Sequence, residues 1–253
     1  RDLNTMIQMF PASIIAGAAA VLLLLYAVIG QSATGHVLVG QLRFGEPIKV
    51  GAIYQETGAG ALWGEQAEDG LKIAVDEIND GGGIHSRPIA IIFEDSKSNT
   101  RVAVTAINKL IASDRVVAVL SQGSSTVVAL SPLANDNHIV LIDTGATTPA
   151  YESPDDFTFR TSYSAPYFAK LVAGLLNEKR VASLGVLYTN DDYGQGMRKA
   201  YKQSFNGIVF SESFAPDATD FRTQIEKISK NRPAAIAFMS NTPQTGILLK
   251  QIR

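Results

Sequence analysis

The chain has 253 residues, 46% of them hydrophobic and 18% charged, with a net charge of -2; this is a globular composition, long enough for one large domain or two small ones. Scattered Lys and Arg at so small a net charge leave no electrostatic footprint for nucleic acid. Cysteine is absent, which excludes disulfides, thiolate metal sites and a Cys nucleophile.

The first element is a compositional break. Residues 14–29 (IIAGAAAVLLLLYAVI) are an uncharged apolar run. As a helix they would measure about 24 Å, short of a hydrocarbon core of about 30 Å. A secretory signal within residues 1–35 is the first expectation, an uncleaved membrane anchor the second and a buried core helix the third. Residues 36–46 read as a linker, and either of the first two expectations places the rest of the chain outside the cytoplasm.

From residue 47 onward, apolar strands alternate with amphipathic helices. Residues 49–54 read as a strand, and Ala67, Leu71, Ala74, Val75 and Ile78 mark one face of a helix that stops at glycines 81–83, where the left-handed C-cap geometry suits glycine. A strand at 89–93 follows. Ala103, Ala106, Ile107, Leu110 and Ile111 then recur at spacing i, i+3, i+4, i+7, i+8, a helical stripe. Strands at 116–120 and 139–142 each run into a loop rich in hydroxyls, residues 122–126 and 143–147, and each loop reads as leading into a helix. Unbroken apolar strands between helices predict a parallel sheet covered on both faces. The pattern resets around 157–164. Phe168, Leu171, Val172, Leu175 and Leu176 form a new stripe, followed by a strand at 183–188 and a helix from about Gly194. A strand at 209–214, a helix bearing Phe221, Ile225 and Ile228, a strand at 234–238 and a helix from near Pro243 complete the pattern. The organisation is therefore an α/β lobe at 47–162 and a second, unfinished one at 163–253.

Candidate chemistry lies in the two hydroxyl-rich loops. Ser124, Ser125 and Thr126 follow Gly123; one of them is expected to serve as an N-cap, and three exceed what a cap requires. Thr147 and Thr148 precede Pro149, a good helix start, while Gly145 and Ala146 permit close approach of a ligand to backbone. Both loops stand at carboxyl ends of strands in one sheet, where open α/β sheets bind ligands, and free N–H groups there suit a carboxylate. Trp63, the only tryptophan, is read as lying between the first strand and the first helix, as core or as a lid. Tyr193, in DDYGQG, is expected to project its ring between the lobes, the adjacent Asp191 and Asp192 building the turn before it.

Catalytic alternatives are thin. Gly58, Gly60 and Gly64 imitate a dinucleotide fingerprint, with Glu94 or Asp95 as the ribose acid, but position 63 is Trp instead of Gly and Glu56 would repel a pyrophosphate. His36, His85 and His138 have no metal-ligand spacing, and no G-x-S-x-G elbow surrounds Ser124 or Ser125. No cofactor and no metal are implied, and the chain is not read as an enzyme.

The run GAIYQETGAGALWGEQAEDGLKIAVDEIND–GGGI, the GSST loop, the GATTP loop, FRTS and YGQG together resemble the periplasmic solute-binding proteins of branched-chain amino acid ABC transporters, of the leucine/isoleucine/valine-binding type. The resemblance runs from Ile48 to the end. It implies a type I periplasmic-binding-protein-like clamshell of two lobes, each a parallel sheet flanked by helices, the second lobe C-terminally incomplete. It also implies a monomer that captures a small amino acid-like ligand for the membrane subunits of an ABC permease. By that resemblance the Ser124 hydroxyl and N–H, with the Thr147 N–H, hold an α-carboxylate, and Ser125 and Ala146 belong to the same two loops. The Gly145 carbonyl and Thr147 hydroxyl face an α-ammonium. Trp63 lines the side-chain pocket, and Tyr193 reaches over from the second lobe. Asn241 stands where the family often has an aromatic residue, which makes the pocket more polar, and the acidic partner of the ammonium is expected beyond Arg253. The ligand-binding ectodomain of a sensor is the alternative from a different class, and a Rossmann-type oxidoreductase comes third.

Overall fold

The computed structural model describes residues 45–253; the apolar run at 14–29, with the signal or anchor expected there, and most of the 36–46 linker lie outside the described residues. In chain order the elements are β1 (Ile48–Tyr54), α1 (Ala61–Asp80), β2 (Ile89–Asp95), α2 (Thr100–Lys109), a π-helical turn (Leu110–Asp114), β3 (Ala118–Ser121), α3 (Ser124–Asp136), β4 (Val140–Asp143) and β5 (Thr158–Arg160). They continue with α4 (Ala165–Glu178), β6 (Ser183–Thr189), α5 (Asp192–Ser204), β7 (Ile208–Phe214), α6 (Arg222–Lys230), β8 (Ala235–Met239) and α7 (Thr242–Ile252).

The strands form two parallel sheets, one ordered β2-β1-β3-β4-β5 and the other β7-β6-β8. Parallel pairing follows from strands that are joined through helices and are largely apolar, with β4 and β5 joined instead by the long loop 144–157. In the first sheet, Ile53, Val119 and Leu141 meet Ala103, Ala106, Ile107 and Leu110 from α2 and its turn, and Val127 and Leu130 from α3. Gly51 has no room for a side chain because a Cβ there would lie 2.7 Å from Leu110 Cδ1. Helix α1 packs on β1 and β2, where the Lys72 ammonium lies 5.7 Å from the Phe93 ring centroid. The second sheet has two cores, one of α4 and α5 residues with Leu184 and Val186, the other of Leu187, Phe214, Phe221, Ile228 and Leu248.

Most predicted elements are present, and four readings are corrected. Helix α1 begins at Ala61, so Trp63 lies in its first turn instead of a loop. The helix stops at the glycines as expected, with C-cap Gly81 at φ -72 and Gly82 (φ 98) and Gly83 (φ 72) in the left-handed region. The N-cap of α3 is Gly123 with no side-chain cap, so none of Ser124, Ser125 and Thr126 caps it. No helix follows Thr148: residues 149–157 are turns, because Pro149 and Pro154 leave only four residues between them, too few for a helix nucleus without packing support. In α4 the stripe divides. Val172 and Leu176 pack inward beside buried Ala165, Ala169 and Ala173, whereas Phe168, Leu171 and Leu175 are exposed. This helix is apolar on nearly every side, so periodicity could not choose its inward face, and the alanines win by admitting α5 closely.

A close approach of a different kind fixes the start of α1. A Cβ on Gly64 would lie 2.2 Å from the Gln55 carbonyl oxygen, whereas Gly70 of the same helix has open space. Gly64→Ala is expected to destabilise the protein by about 1–3 kcal/mol through overpacking. Gly70→Ala should stabilise it by up to ~1 kcal/mol through helix propensity. Urea denaturation midpoints of the two variants check both signs.

Candidate functional site

The first sheet reverses its strand order between β1 and β3, which opens a crevice at the carboxyl ends of the strands. Three loops border it, those following β1, β3 and β4. The loop after β1 is tied down by its neighbour: Asp95 accepts from the Thr57 N–H at 3.2 Å, the Thr57 hydroxyl at 2.6 Å and the Lys97 N–H at 2.7 Å. Burial alone would raise the Asp95 carboxyl, but these hydrogen bonds outweigh it and hold the pKa below the ordinary value. The Gly60 N–H donates to the Ser98 hydroxyl at 3.0 Å. Asp95 is thus spent on loop structure and Glu94 on Lys109, which leaves the dinucleotide reading without its ribose acid.

The loops after β3 and β4 converge. The Ser124 hydroxyl, 5% exposed, accepts from the N–H groups of Thr147 at 3.3 Å and Thr148 at 3.4 Å. It therefore keeps its own O–H to donate. With no side chain capping α3, the first-turn N–H groups of Ser124, Ser125 and Thr126 are left to solvent or a ligand. The Thr147 hydroxyl oxygen is buried and has no partner among the described residues.

What holds this loop in place is a buried carboxylate. Asp143, fully buried at the end of β4, accepts from the N–H groups of Gly145 (2.9 Å) and Ala146 (2.6 Å). Its other oxygen takes the Tyr151 hydroxyl and lies 3.5 Å from Arg160 Nη1. Arg160 in turn donates to the carbonyls of Ala146 and Thr148, stacks 4.8 Å from the Tyr151 centroid and pairs with Glu152 at 2.8 Å. Burial first, then the hydrogen bond and charge of Asp143, raise the Tyr151 hydroxyl pKa far above its ordinary value, so it stays a donor. The Ala146 carbonyl also accepts from Ser162 at 2.8 Å. The N–H and carbonyl of Ala146 are thus both engaged within the loop. The Gly145 carbonyl accepts no hydrogen bond among the described residues.

The remaining candidates are dispersed. Trp63 is 53% exposed at the carboxyl end of β1, which removes the core reading. The Ser125 hydroxyl accepts from the Asp192 N–H at 3.3 Å and so links α3 to the start of α5. Asp191 caps α5 through the Gly194 N–H at 2.8 Å; burial raises its pKa and that bond opposes the rise. Tyr193 is half-buried against the second-sheet core, its hydroxyl pKa raised by burial and then by the charge of Asp191. Asn241 precedes α7 without a side-chain cap bond. Sequence reasoning gives no role to Arg160 or Gln55, and takes Gln122 and Asp143 only as the first residues of the two hydroxyl-rich loops. The Gln55 side chain stands between the loops after β1 and β3: a Cβ on Gly60 would lie 1.5 Å from its Oε1, and one on Gly123 2.5 Å from its Nε2. No group of three or more His, Cys, Asp or Glu among the described residues could hold a metal ion, and none of the described helices is long and apolar enough to cross a membrane.

A family model described as periplasmic binding protein matches residues 47–253. The Leu/Ile/Val-binding protein homolog 1 of Brucella abortus is 29% identical over 231 residues, 88% of this chain and 59% of that protein. The substrate binding protein LivJ of a branched-chain amino acid transporter from Streptococcus pneumoniae, solved in complex with isoleucine, superposes with a TM-score of 0.74 at 28% identity, over 82% of this chain and 61% of that one. The leucine binding protein LivK of Thermotoga maritima gives a TM-score of 0.77 over 81% and 60% at 21% identity, a likeness of fold. The chain thus spans about three-fifths of the length of these relatives.

Removing the organising carboxylate should be costly. Asp143→Ala leaves the buried Ala146 N–H, the part-buried Gly145 N–H and the Tyr151 hydroxyl without their acceptor and the Arg160 guanidinium without its buried counter-charge, and a loss of about 3–5 kcal/mol is expected. Glu152→Ala, at the exposed end of the same network, should cost less than ~1 kcal/mol. Chemical denaturation monitored by circular dichroism measures both.

Proposed function

We propose that this chain, which belongs to the periplasmic binding protein family, is a non-enzymatic receptor that captures an amino acid or similar small polar solute outside the cytoplasm for an ABC permease. The observation that carries the proposal is the meeting of Ser124 with Thr147 and Thr148. It brings a hydroxyl donor, uncapped helix N–H groups and an unpartnered buried threonine hydroxyl together at the strand-order reversal. A carboxylate suits that set because it accepts several charge-assisted hydrogen bonds at once. The free Gly145 carbonyl beside it can accept from an ammonium.

The relatives support the same reading. The Brucella protein is named for leucine, isoleucine and valine, and the Streptococcus protein was solved with isoleucine. Proteins of that kind act upstream of a membrane permease, and lobe closure over the solute is the state a permease reads. In this reading residues 47–162 and 163–253 are the two lobes, Tyr193 and Asn241 contribute from the second and Trp63 covers the first. The Ser125–Asp192 contact is a point at which the two meet on closing. Residues 1–35 carry the export signal or anchor, and the receptor works as a monomer.

Thermal shift against the twenty amino acids, followed by isothermal titration of the best, tests the proposal. A ligand should raise Tm, and Ser124→Ala or Thr147→Ala should weaken its binding by roughly tenfold to a hundredfold, about 1.5–3 kcal/mol for a hydrogen bond to a charged group. Unfolding of ligand-free Thr147→Ala should change little, whereas Ser124→Ala also takes the acceptor from the Thr147 and Thr148 N–H groups and should cost about 1–3 kcal/mol. Unaltered affinity in both variants would contradict the cradle.

A further inference from the structure

We propose that Gln122 is a specificity-determining residue, whose amide donates to an acceptor at the end of the solute remote from its carboxylate; this rests on the solute-capture reading above. Gln122 is 8% exposed, and its Nε2 is buried with no hydrogen-bond partner among the described residues. A buried amide donor is nearly always paired in a native protein, so an unpaired one bordering a crevice is a group waiting for a ligand.

Its place in the crevice says which part of the ligand it meets. The two loops touch in register. Gln122 lies against Gly145, with its Cβ and Oε1 each 3.5 Å from where a Gly145 Cβ would be, whereas Ser124 meets Thr147 and Thr148. The two contacts are offset by two residues in both loops, a separation of at most about 7 Å. At one end the Ser124 and Thr147 hydroxyls and the uncapped N–H groups already supply a carboxylate with donors. Next to them stands the free Gly145 carbonyl, which takes the ammonium, and beyond it the Gln122 amide N–H, a donor, faces the side-chain end. An aliphatic side chain placed there would leave the Gln122 donor unpaired, whereas a carboxamide or hydroxyl satisfies it. A site built to hydrogen-bond a substrate group discriminates strongly against an analogue lacking that group. The structure therefore points to a polar amino acid in preference to a branched aliphatic one.

Asparagine and leucine have side chains of nearly the same shape and differ in this one respect, which makes them the probes. Isothermal titration of the full chain should give asparagine at least tenfold tighter binding than leucine. Gln122→Leu should abolish or invert that preference, while Ser124→Ala weakens both probes by similar factors. Gln122→Met keeps nearly the same length and volume but has no N–H donor, so it should lose the asparagine preference too, and it serves if the leucine variant fails to fold. Tighter binding of leucine by the unaltered protein, or an equal change for both probes in the Gln122 variants, would overturn the inference and leave solute capture standing. If the unaltered protein binds neither probe the inference falls, and solute capture falls with it only if the whole amino acid panel also fails.

Discussion

A single buried carboxylate decides which atoms of the crevice remain free. Asp143 takes the N–H groups of Gly145 and Ala146 and holds Tyr151 and Arg160, and Arg160 takes the carbonyls of Ala146 and Thr148. Backbone groups that face away from the crevice are thereby satisfied internally, as buried polar groups must be. What is left over is a short inventory: the Gly145 carbonyl, the Thr147 hydroxyl and an N–H shared over 3.3 Å with Ser124. The site is in this sense the remainder of the loop's own hydrogen bonding. Its polarity follows from which groups the Asp143–Arg160 pair does not consume.

The fold supplies the second half of the arrangement. A parallel sheet ordered β2-β1-β3-β4-β5 sends its helices to opposite faces on either side of the gap between β1 and β3, so the loops there part and leave a crevice. Helix α3 begins at its edge with Gly123 at φ 91, a conformation that glycine adopts without penalty, and without a side-chain cap to consume its first N–H groups. The arrangement needs no metal and no nucleophile to hold a solute. Hydrogen bonds that are weak in water strengthen when a closing lobe excludes it.

Much of the layout was legible in the sequence. Apolar runs such as VGAIY and SLGVLY located strands, the Ala103–Ile111 periodicity located α2, and the two hydroxyl-rich loops were found as neighbours at strand ends. What failed did so for identifiable reasons. The N-cap rule expects a Ser or Thr to cap α3, but Ser124 is drawn instead to Thr147 and Thr148, 23 and 24 residues away. Proline after Thr148 suggested a helix, and tertiary anchoring by Tyr151 and Arg160 made turns. In α4 the alanines face inward where larger residues were expected. The roles of Asp143, Arg160 and Gln122 are a matter of burial and pairing, which no local pattern encodes. Asp143 was read only as the start of a loop.

On the proposed function, the groups left over by Asp143, and not the groups it consumes, bind the solute. Amide proton shifts in a 15N-labelled sample, followed while the amino acid identified by thermal shift is titrated in, test it most directly. The Ser124, Ser125 and Thr147 amide protons should move downfield with ligand occupancy, while those of Gly145 and Ala146, already donated to a carboxylate, stay nearly fixed. Shifts concentrated on Gly145 and Ala146, or on a surface away from these loops, with Ser124 and Thr147 unmoved, would contradict it.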